Sequence, residues 1–251
     1  MNKFISTTAA LTLAGATSMA AHAGDWTANV SVSNNYLWRG LTQSENKPAV
    51  SGGIDYAHES GIYVGTWVSN VEYASGTNPS GDAFSYENDW YIGYAGEYNG
   101  ISYDFGYLFY NYDEEANFDF GEFYGSVGYM GFSVTAWVLS HTEADESDGL
   151  ANAGRNYDLG FGSTYYISAD YAYEIKDGLE LGLHVGYHDG DFVDSFNFAN
   201  GTFDYVDYNV SLSKGGFGFV VSHTDLDDSG DVGLQNGSVK FVVSYTVDFD
   251  L

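Results

Sequence analysis

Residues 238–251, SVKFVVSYTVDFDL, place an apolar side chain at every second position. The apolar series consists of Val239, Phe241, Val243, Tyr245, Val247, Phe249 and Leu251. Most of the intervening positions hold Ser, Lys, Thr or Asp. Because successive side chains of a β-strand point to opposite sides, this period of two predicts a strand with one apolar and one polar face.

The same alternation recurs in residues 26–33, 156–175 and 179–188. A soluble β-sandwich would also alternate, but its buried face would be mainly aliphatic, whereas this apolar face is rich in Tyr and Trp, which favour membrane interfaces. The runs at 156–175 and 238–251 also exceed the usual strand length of a globular protein. The pattern therefore predicts an all-β fold, an antiparallel transmembrane β-barrel.

Short turn signals alternate with long polar stretches along the chain. The short signals are Ser60-Gly61, Asn99-Gly100, Met130-Gly131, Lys176-Asp177-Gly178 and Lys214-Gly215-Gly216. The long stretches lie near residues 39–47, 74–84, 113–119, 142–155, 189–201 and 227–237. Five tight turns and six long loops delimit about 12 strands, and an even number of strands with short periplasmic turns and long extracellular loops is typical of outer-membrane barrels.

Composition excludes several classes of function. The chain has 35 acidic and seven basic residues, a net charge of −28, which argues against nucleic acid as a partner. Cysteine is absent, so neither disulfides nor thiolate metal sites can form. Aromatic residues make up 18% of the chain, which distinguishes it from an acidic disordered protein. No cofactor is predicted.

The N-terminal 23 residues have the features of an export signal. Lys3 is followed by a largely small or apolar stretch and by Ala21-His22-Ala23, an Ala-x-Ala cleavage site. We predict a signal peptide at residues 1–23 and a transmembrane barrel at residues 24–251. Export without disulfides predicts the outer membrane of a Gram-negative bacterium, with both termini in the periplasm.

The segment NYLWRGLTQSENKPAV, residues 35–50, is predicted to form the first outer loop. Tyr36 and Trp38 are expected at the membrane surface, where aromatic side chains are common. Arg39 and Arg155 are the only arginines, and both are predicted at outer strand ends. A permanent cation above an acidic lumen would attach loop 1 to a nearby carboxylate and form a basic element of the constriction.

This part of the chain also resembles a known family. Tyr36-x-x-Arg39-Gly40-x-x-Gln43, Lys47-Pro48-Ala49, Gly53-Ile54-Asp55-Tyr56 and residues 60–71 are similar to the N-terminal signature of the TorF-family porins. That group was earlier described as a conserved bacterial family of unknown function. The resemblance implies an outer-membrane barrel that acts as a pore. The chain departs from the usual barrel ending in Phe or Trp, because its last residue is Leu251.

Alternation also predicts which carboxylates line the pore. Nine are placed inward: Asp55, Glu87, Asp89, Glu97, Asp104, Asp158, Asp170, Glu174 and Glu180. Lys240 is the clearest inward base, and the parity of strands 3 and 6 leaves Trp67 and Glu122 unassigned. Such a lumen is expected to favour cations. The number of strands does not decide whether the lumen is open or filled.

One of the acidic loops contains part of a calcium-binding motif. Asp225, Asp227 and Ser229 match the start of a calcium-binding loop, but Asn236 stands where the bidentate Glu would be. Ca²⁺ or Mg²⁺ at the acidic loops, shared with lipopolysaccharide phosphates, is one possibility, and solvated loop charge is the other.

Ser140-His141 and Ser222-His223 are the Ser–His pairs that a barrel enzyme could use. Neighbouring strand residues face opposite sides, so neither pair should form a catalytic couple by itself, and the chain is not predicted to be an enzyme.

Two functions follow from these observations. The first is a porin-like channel for passive diffusion of small cationic or neutral solutes, in contact with outer-membrane lipid and lipopolysaccharide. The alternative is a non-conducting surface or structural barrel whose acidic loops bind divalent cations or a partner.

Overall fold

The computed structural model describes residues 24, 26–73, 83–113, 117–144, 157–195, 204–227 and 234–251. The predicted signal peptide lies outside this range and stays a prediction. One four-residue helix, α1 (Asp191–Asp194), follows a barrel strand. In the part of the chain so described, no helix has the length and apolar character needed to cross a bilayer.

Twelve strands close into an antiparallel barrel, as the alternation predicted. They are β1 (Trp26–Ser33), β4 (Ala49–Ala57), β5 (Ile62–Tyr73), β6 (Phe84–Tyr98), β7 (Ile101–Tyr112), β8 (Phe120–Tyr129), β9 (Phe132–Thr142), β10 (Thr164–Lys176), β11 (Leu179–Gly190), β12 (Tyr205–Lys214), β13 (Phe217–Thr224) and β14 (Lys240–Asp250). Each pairs with its neighbour along the chain, and β1 pairs with β14 to close the barrel. The short strands β2 (Leu37–Trp38) and β3 (Leu41–Thr42) form a separate hairpin within loop 1, residues 34–48.

All five predicted tight turns connect adjacent strands, at what we call the tight-turn end of the barrel. At Asn99-Gly100 both residues have positive φ, 53° and 79°, which is the two-residue type I′ geometry suited to the twist of a hairpin. The Leu251 amide donates to the Trp26 carbonyl at 2.9 Å, so both ends of the barrel chain lie here. The opposite end carries the long connections and is called the long-loop end.

The outside of the barrel is apolar all the way round. Every barrel strand exposes at least one large apolar side chain: Val30, Ile54, Val68, Ile92, Phe105, Val127, Val134, Ile167, Val185, Val210, Phe219 and Val243. These residues occupy the outward positions that the period of two predicted. An exposed apolar belt of this extent marks a surface that contacts lipid rather than water.

Pairing irregularities occur in both strands whose parity was ambiguous, the third and sixth strands of the barrel, β5 and β8. The pairing of β5 with β6 shifts between Asn70 and Tyr73, and that of β8 with β9 shifts at Gly121 and Glu122. A bulge inserts a residue, so side chains beyond it change faces. Trp67 and Glu122 both point inward and are buried.

The strand predicted from residue 156 begins only at Thr164, so the prediction was wrong for its first residues. Asp158 is exposed and precedes the strand, and its carboxylate accepts the Gly160 amide at 3.0 Å. An Asp side chain that bonds the backbone two residues later favours a turn over a strand. Asp158 therefore does not line the barrel wall.

Candidate functional site

Loop 1 folds back on itself through two tight turns. Arg39 and Gly40 have φ of 49° and 80° and join β2 to β3 in a type I′ turn. In the second turn, Glu45 and Asn46 again have positive φ, and the Lys47 amide donates to the Ser44 carbonyl at 2.9 Å. Residues 35–44, which lie between β1 and the second turn, are called the plug.

The plug lies inside the barrel. Its buried members are Asn35, Tyr36, Leu37, Trp38, Leu41, Thr42, Gln43 and Ser44. The expectation that Tyr36 and Trp38 lie at the membrane surface was therefore wrong, because they are only 1% and 5% exposed. A hairpin satisfies much of its own backbone hydrogen bonding, which allows this segment to be buried without a large desolvation cost.

Polar contacts fix the plug to β6 and β7 on one side of the wall, and to the last long connection. The Tyr36 hydroxyl donates to Glu87 Oε1 on β6 at 2.6 Å. The Trp38 indole donates to the Tyr110 hydroxyl on β7 at 3.4 Å. The Thr42 amide donates to the Asn236 side chain, from the last long connection, at 3.0 Å.

Apolar contacts fix the plug to the other side. Leu37 packs with Val220 and Val242, and Leu41 packs with Val193 and Tyr205.

The tip of the plug touches the wall directly. A Cβ on Gly40 would lie 2.6 Å from Thr224 Cγ2 and 2.8 Å from Asp207 Cβ, so only glycine fits between the tip and strands β12 and β13. The tip of the plug therefore lies directly against β12 and β13.

Arg39 makes the strongest contact of the plug. Its Nη1 and Nη2 donate to Glu122 Oε1 and Oε2 at 2.9 and 2.6 Å, a bidentate pair whose side chains are 5% and 2% exposed. The guanidinium carbon lies 4.3 Å from the centre of the Trp38 ring and 4.4 Å from that of Tyr166. Burial lowers the pKa of Arg39, but the Glu122 carboxylate more than offsets this and raises it above the usual value. The side chain is therefore a permanent cation within the lumen.

Aromatic side chains pack together in the lumen beyond the plug. Phe118, from the connection between β7 and β8, and Phe192, from α1, point inward and lie 5.8 Å apart between ring centres. They pack with Tyr73, Phe84, Tyr112 and Phe120. The long-loop half of the interior is thus an aromatic core.

The tight-turn half of the interior is polar and reachable by solvent. Its inward side chains are small and half-buried, among them Thr27, Asn29, Ser51, Ser126, Ser133, Asn209 and Thr246. We call this part of the lumen the vestibule. It extends from the tight-turn end to the underside of the plug.

Tyrosines in the vestibule lie along the wall and point at carboxylates. Their hydroxyls donate in three pairs: Tyr63 to Asp104, Tyr91 to Asp55 and Tyr166 to Asp207. Each ring covers a glycine on the adjacent strand, where a Cβ would overlap it; these are Gly93, Gly65 and Gly186. The abundance of Gly and Tyr in this chain thus has a partial explanation, since glycine allows a tyrosine to lie flat without filling the lumen.

His184 on β11 joins two carboxylates across the wall. Its Nδ1 lies 2.6 Å from Asp170 Oδ1, and its Nε2 lies 2.9 Å from Asp207 Oδ1. Both nitrogens can donate only when the ring is protonated, so this geometry favours an imidazolium. The cluster places a second cationic group beside the plug.

The nine predicted carboxylates fall into three groups. Asp55, Glu87, Asp89, Asp104 and Asp170 point into the lumen and are buried or half-buried. Glu97, Glu174 and Glu180 lie at the mouth of the vestibule, near the tight turns. Asp158 lies outside the strands, and Arg155 falls outside the described residues.

Sequence reasoning missed Glu122, His184 and Asp207. Alternation places both residues inward, because His184 stands four residues from the inward His188 and Asp207 stands two residues from the inward Tyr205. Parity was therefore a usable signal for both. The bulge beside Glu122 removed that signal.

The predicted calcium site is only partly covered by the structure. Asp225 Oδ1 accepts the Val206 amide at 2.8 Å, which uses part of its carboxylate to cap β12. Asp227 is exposed, and Ser229 falls outside the described residues. Within the described ranges no group of three or more His, Asp or Glu side chains is arranged to hold a metal. Cation binding at these loops stays a prediction.

The prediction that Ser140 and His141 face opposite sides was wrong. The bulge where β8 pairs with β9 leaves Ser140 without a partner in the register, and Ser140 Oγ lies 2.8 Å from His141 Nδ1. Both lie toward the outside, where the His141 ring stacks on Phe109. Among the described residues, no carboxylate contacts the imidazole to complete a triad.

Comparisons with known proteins support this fold. The COG4313 outer membrane channel from Pseudomonas putida F1 has a TM-score of 0.56 at 10% identity, over 92% of this chain and 97% of the channel. The KdgM porin and the NanC porin each have a TM-score of 0.51 at 10% identity. They cover 90% and 89% of this chain, and 99% and 100% of their own. At this level of identity the similarity concerns the fold alone.

No curated protein sequence matches the chain. A bacterial family described as a protein of unknown function, Gcw_chp, matches residues 16–250. The match covers nearly the whole chain, including every barrel strand. The protein therefore belongs to the Gcw_chp family.

Proposed function

We propose that this protein is a porin-like channel in the outer membrane of a Gram-negative bacterium, similar to the TorF-family porins, through which small cationic or neutral solutes diffuse passively. One observation carries the proposal: a closed barrel with an apolar outside has a polar, solvent-accessible vestibule inside. A polar interior of this kind can form a water-filled channel in a transmembrane barrel. The folds it resembles belong to porins and an outer membrane channel.

The charge of the lumen supports a preference for cations. Asp55 and Asp104 face the vestibule, and their partners are neutral tyrosine hydroxyls, which leave the negative charge in place. Asp170 also faces the vestibule and shares the His184 cation with Asp207. Low-dielectric walls focus such a field along the lumen. Solutes are therefore expected to enter by the vestibule and to meet the plug as the narrowest point.

The plug also supports the second candidate, a non-conducting barrel. It is buried inside the barrel and contacts six wall strands, β6, β7, β8, β12, β13 and β14. Single-channel current recordings of the purified protein in planar bilayers distinguish the two functions. Discrete current steps support the channel, and a tight seal with no steps at high protein density supports the structural barrel.

The orientation of the barrel gives a testable prediction. Epitope tags inserted in residues 74–82 or 228–233 should be accessible on intact cells, and a tag between Asn99 and Gly100 should be accessible only after the outer membrane is permeabilised. The reason is that short turns of outer-membrane barrels face the periplasm. Equal labelling of both kinds of site on intact cells would contradict this orientation.

Ion selectivity gives a further prediction. If the protein conducts, reversal potentials in a KCl gradient should show a preference for K⁺ over Cl⁻ that increases in dilute salt. Asp170→Asn and Asp89→Asn should each lower this preference by about two- to fivefold, because they lie near the narrowest point and within about a Debye length of a passing ion. The loop variants Asp227→Asn and Asp228→Asn are the matched controls. A larger effect from the loop variants would refute an acidic lumen as the selective element.

A further inference from the structure

Asp89 on β6 is a fully buried carboxylate beneath the plug. Neither of its oxygens has a hydrogen-bond partner among the residues that the structure describes. Buried polar groups are nearly always partnered, and an isolated buried charge is costly. Glu87, two residues earlier on the same face of the strand, is buried as well. These two side chains are called the Glu87–Asp89 pair.

The nearby protein cation does not neutralise this pair. Arg39 makes both of its close carboxylate contacts with Glu122, at 2.6 and 2.9 Å. The guanidinium is therefore committed to Glu122 rather than to the Glu87–Asp89 pair. The Tyr36 hydroxyl stabilises Glu87 through a hydrogen bond, but a neutral donor leaves the charge in place.

Protonation would satisfy the Asp89 carboxylate less well than a bound metal cation. A protonated Asp89 would carry an O–H that must donate. Since neither oxygen lies within hydrogen-bond distance of a described partner, that donor would be unsatisfied. A cation binds the oxygens directly. The residues opposite Asp89 in the sheet, Trp67 and Tyr110, bring no positive charge to it.

We propose that the Glu87–Asp89 pair binds a small monovalent inorganic cation, Na⁺ or K⁺, at the base of the plug. A divalent ion would seek more charged ligands than two carboxylates, and within the described residues no cluster of three is available. Because Tyr36 of the plug bonds Glu87, a cation here would also stabilise the seated plug. The inference goes beyond the proposed channel, since such a site would exist even in a barrel that does not conduct.

The first test uses the wild-type barrel folded in detergent. Its unfolding temperature, read from the heat-modifiable band on gels, is measured in NaCl, KCl and choline chloride at equal ionic strength. We expect midpoints about 3–6 °C higher in NaCl or KCl at concentrations near ten times Kd. Line broadening in sodium-23 NMR that K⁺ reverses would show binding directly. Equal midpoints in all three salts together with unbroadened lines would overturn the proposal.

The second test compares two variants. Asp89→Asn should lose both the salt-specific shift and the line broadening. Asp248→Asn, an exposed carboxylate at the tight-turn end of β14, should keep both. An Asp89→Asn barrel with the same salt-specific shift as wild type would refute a monovalent site here. So would a wild-type barrel whose unfolding midpoint rises in CaCl₂ but not in NaCl or KCl. If Asp89→Asn does not fold, Glu87→Gln and the wild-type NMR experiment decide in the same way. None of these measurements requires conduction, so their failure is distinct from the failure of the channel.

Discussion

A barrel without its plug should conduct several-fold more than the wild type. The Gln43 amide donates to the Tyr36 carbonyl at 2.8 Å, so the two residues already stand as the ends of a tight turn. Replacing residues 37–42 with Asn-Gly therefore closes the chain with a two-residue turn and leaves the barrel strands unaltered. Because the narrowest section dominates the resistance of a pore, its removal should raise the single-channel conductance in planar bilayers.

Two variants control this experiment. The replacement deletes Arg39 and so leaves the Glu122 carboxylate buried without its partner. A variant that combines the replacement with Glu122→Gln lacks this buried charge, and it should conduct as well as the replacement alone and fold more readily. Insertion of Asn-Gly into the loop at residues 74–82 lengthens a different connection and should leave the current unchanged. Conductance at the wild-type level after removal of the plug would show that another part of the chain blocks the lumen.

The barrel was predictable because its signals are local. Alternation fixes which side chains face lipid, and paired Gly, Asn and Asp residues mark tight turns, so segments such as residues 238–251 determine their own conformation. The errors arose where backbone geometry departs from a regular strand. Asp158 caps a turn with its own side chain, and Ser140 occupies a bulge, and neither effect is visible in a hydrophobic pattern.

The candidate site was less predictable, because it depends on contacts between distant residues. Arg39 is 83 residues from Glu122 and 149 from His188 along the chain. Sequence predicted a basic element in loop 1 but placed it above the lumen, since nothing in the local pattern indicates that a loop folds inward. The Leu-Trp-Arg-Gly-Leu-Thr segment does contain an indication: apolar residues flank a type I′ turn, which is unusual for a loop exposed to water.

The Tyr36 and Trp38 side chains illustrate the same limit. Aromatic residues at a strand end are common at the membrane surface, which makes the surface the better prediction from sequence alone. Inside the barrel they meet an aromatic core that only closure of the sheet creates, formed by residues such as Trp67, Tyr110 and Phe120. Composition indicated that many aromatic residues are present, but it could not assign them to the inside or the outside.

Loss of Arg39 should unseat the plug. In Arg39→Ala the Glu122 carboxylate stays buried without its partner, which costs about 3–5 kcal/mol in buried ion pairs. The plug should then leave its seat roughly 10²–10³-fold more often. Since the chain has no cysteine, a single Leu41→Cys provides a unique probe, and its rate of reaction with a soluble maleimide in the folded barrel reports exposure of the plug.

Three further variants decide whether the ion pair is responsible. Arg39→Ala with Glu122→Gln removes the uncompensated charge and should recover part of the protection, and Arg39→Lys should give an intermediate rate because an ammonium cannot match the bidentate geometry. Lys47→Ala, in the same loop, breaks a pair with Glu45 and Glu72 in which the lysine is 51% exposed, and it should change the rate little. If Arg39→Ala and Lys47→Ala label equally fast, the plug is held by its apolar contacts and Arg39 contributes charge to the lumen without anchoring the hairpin.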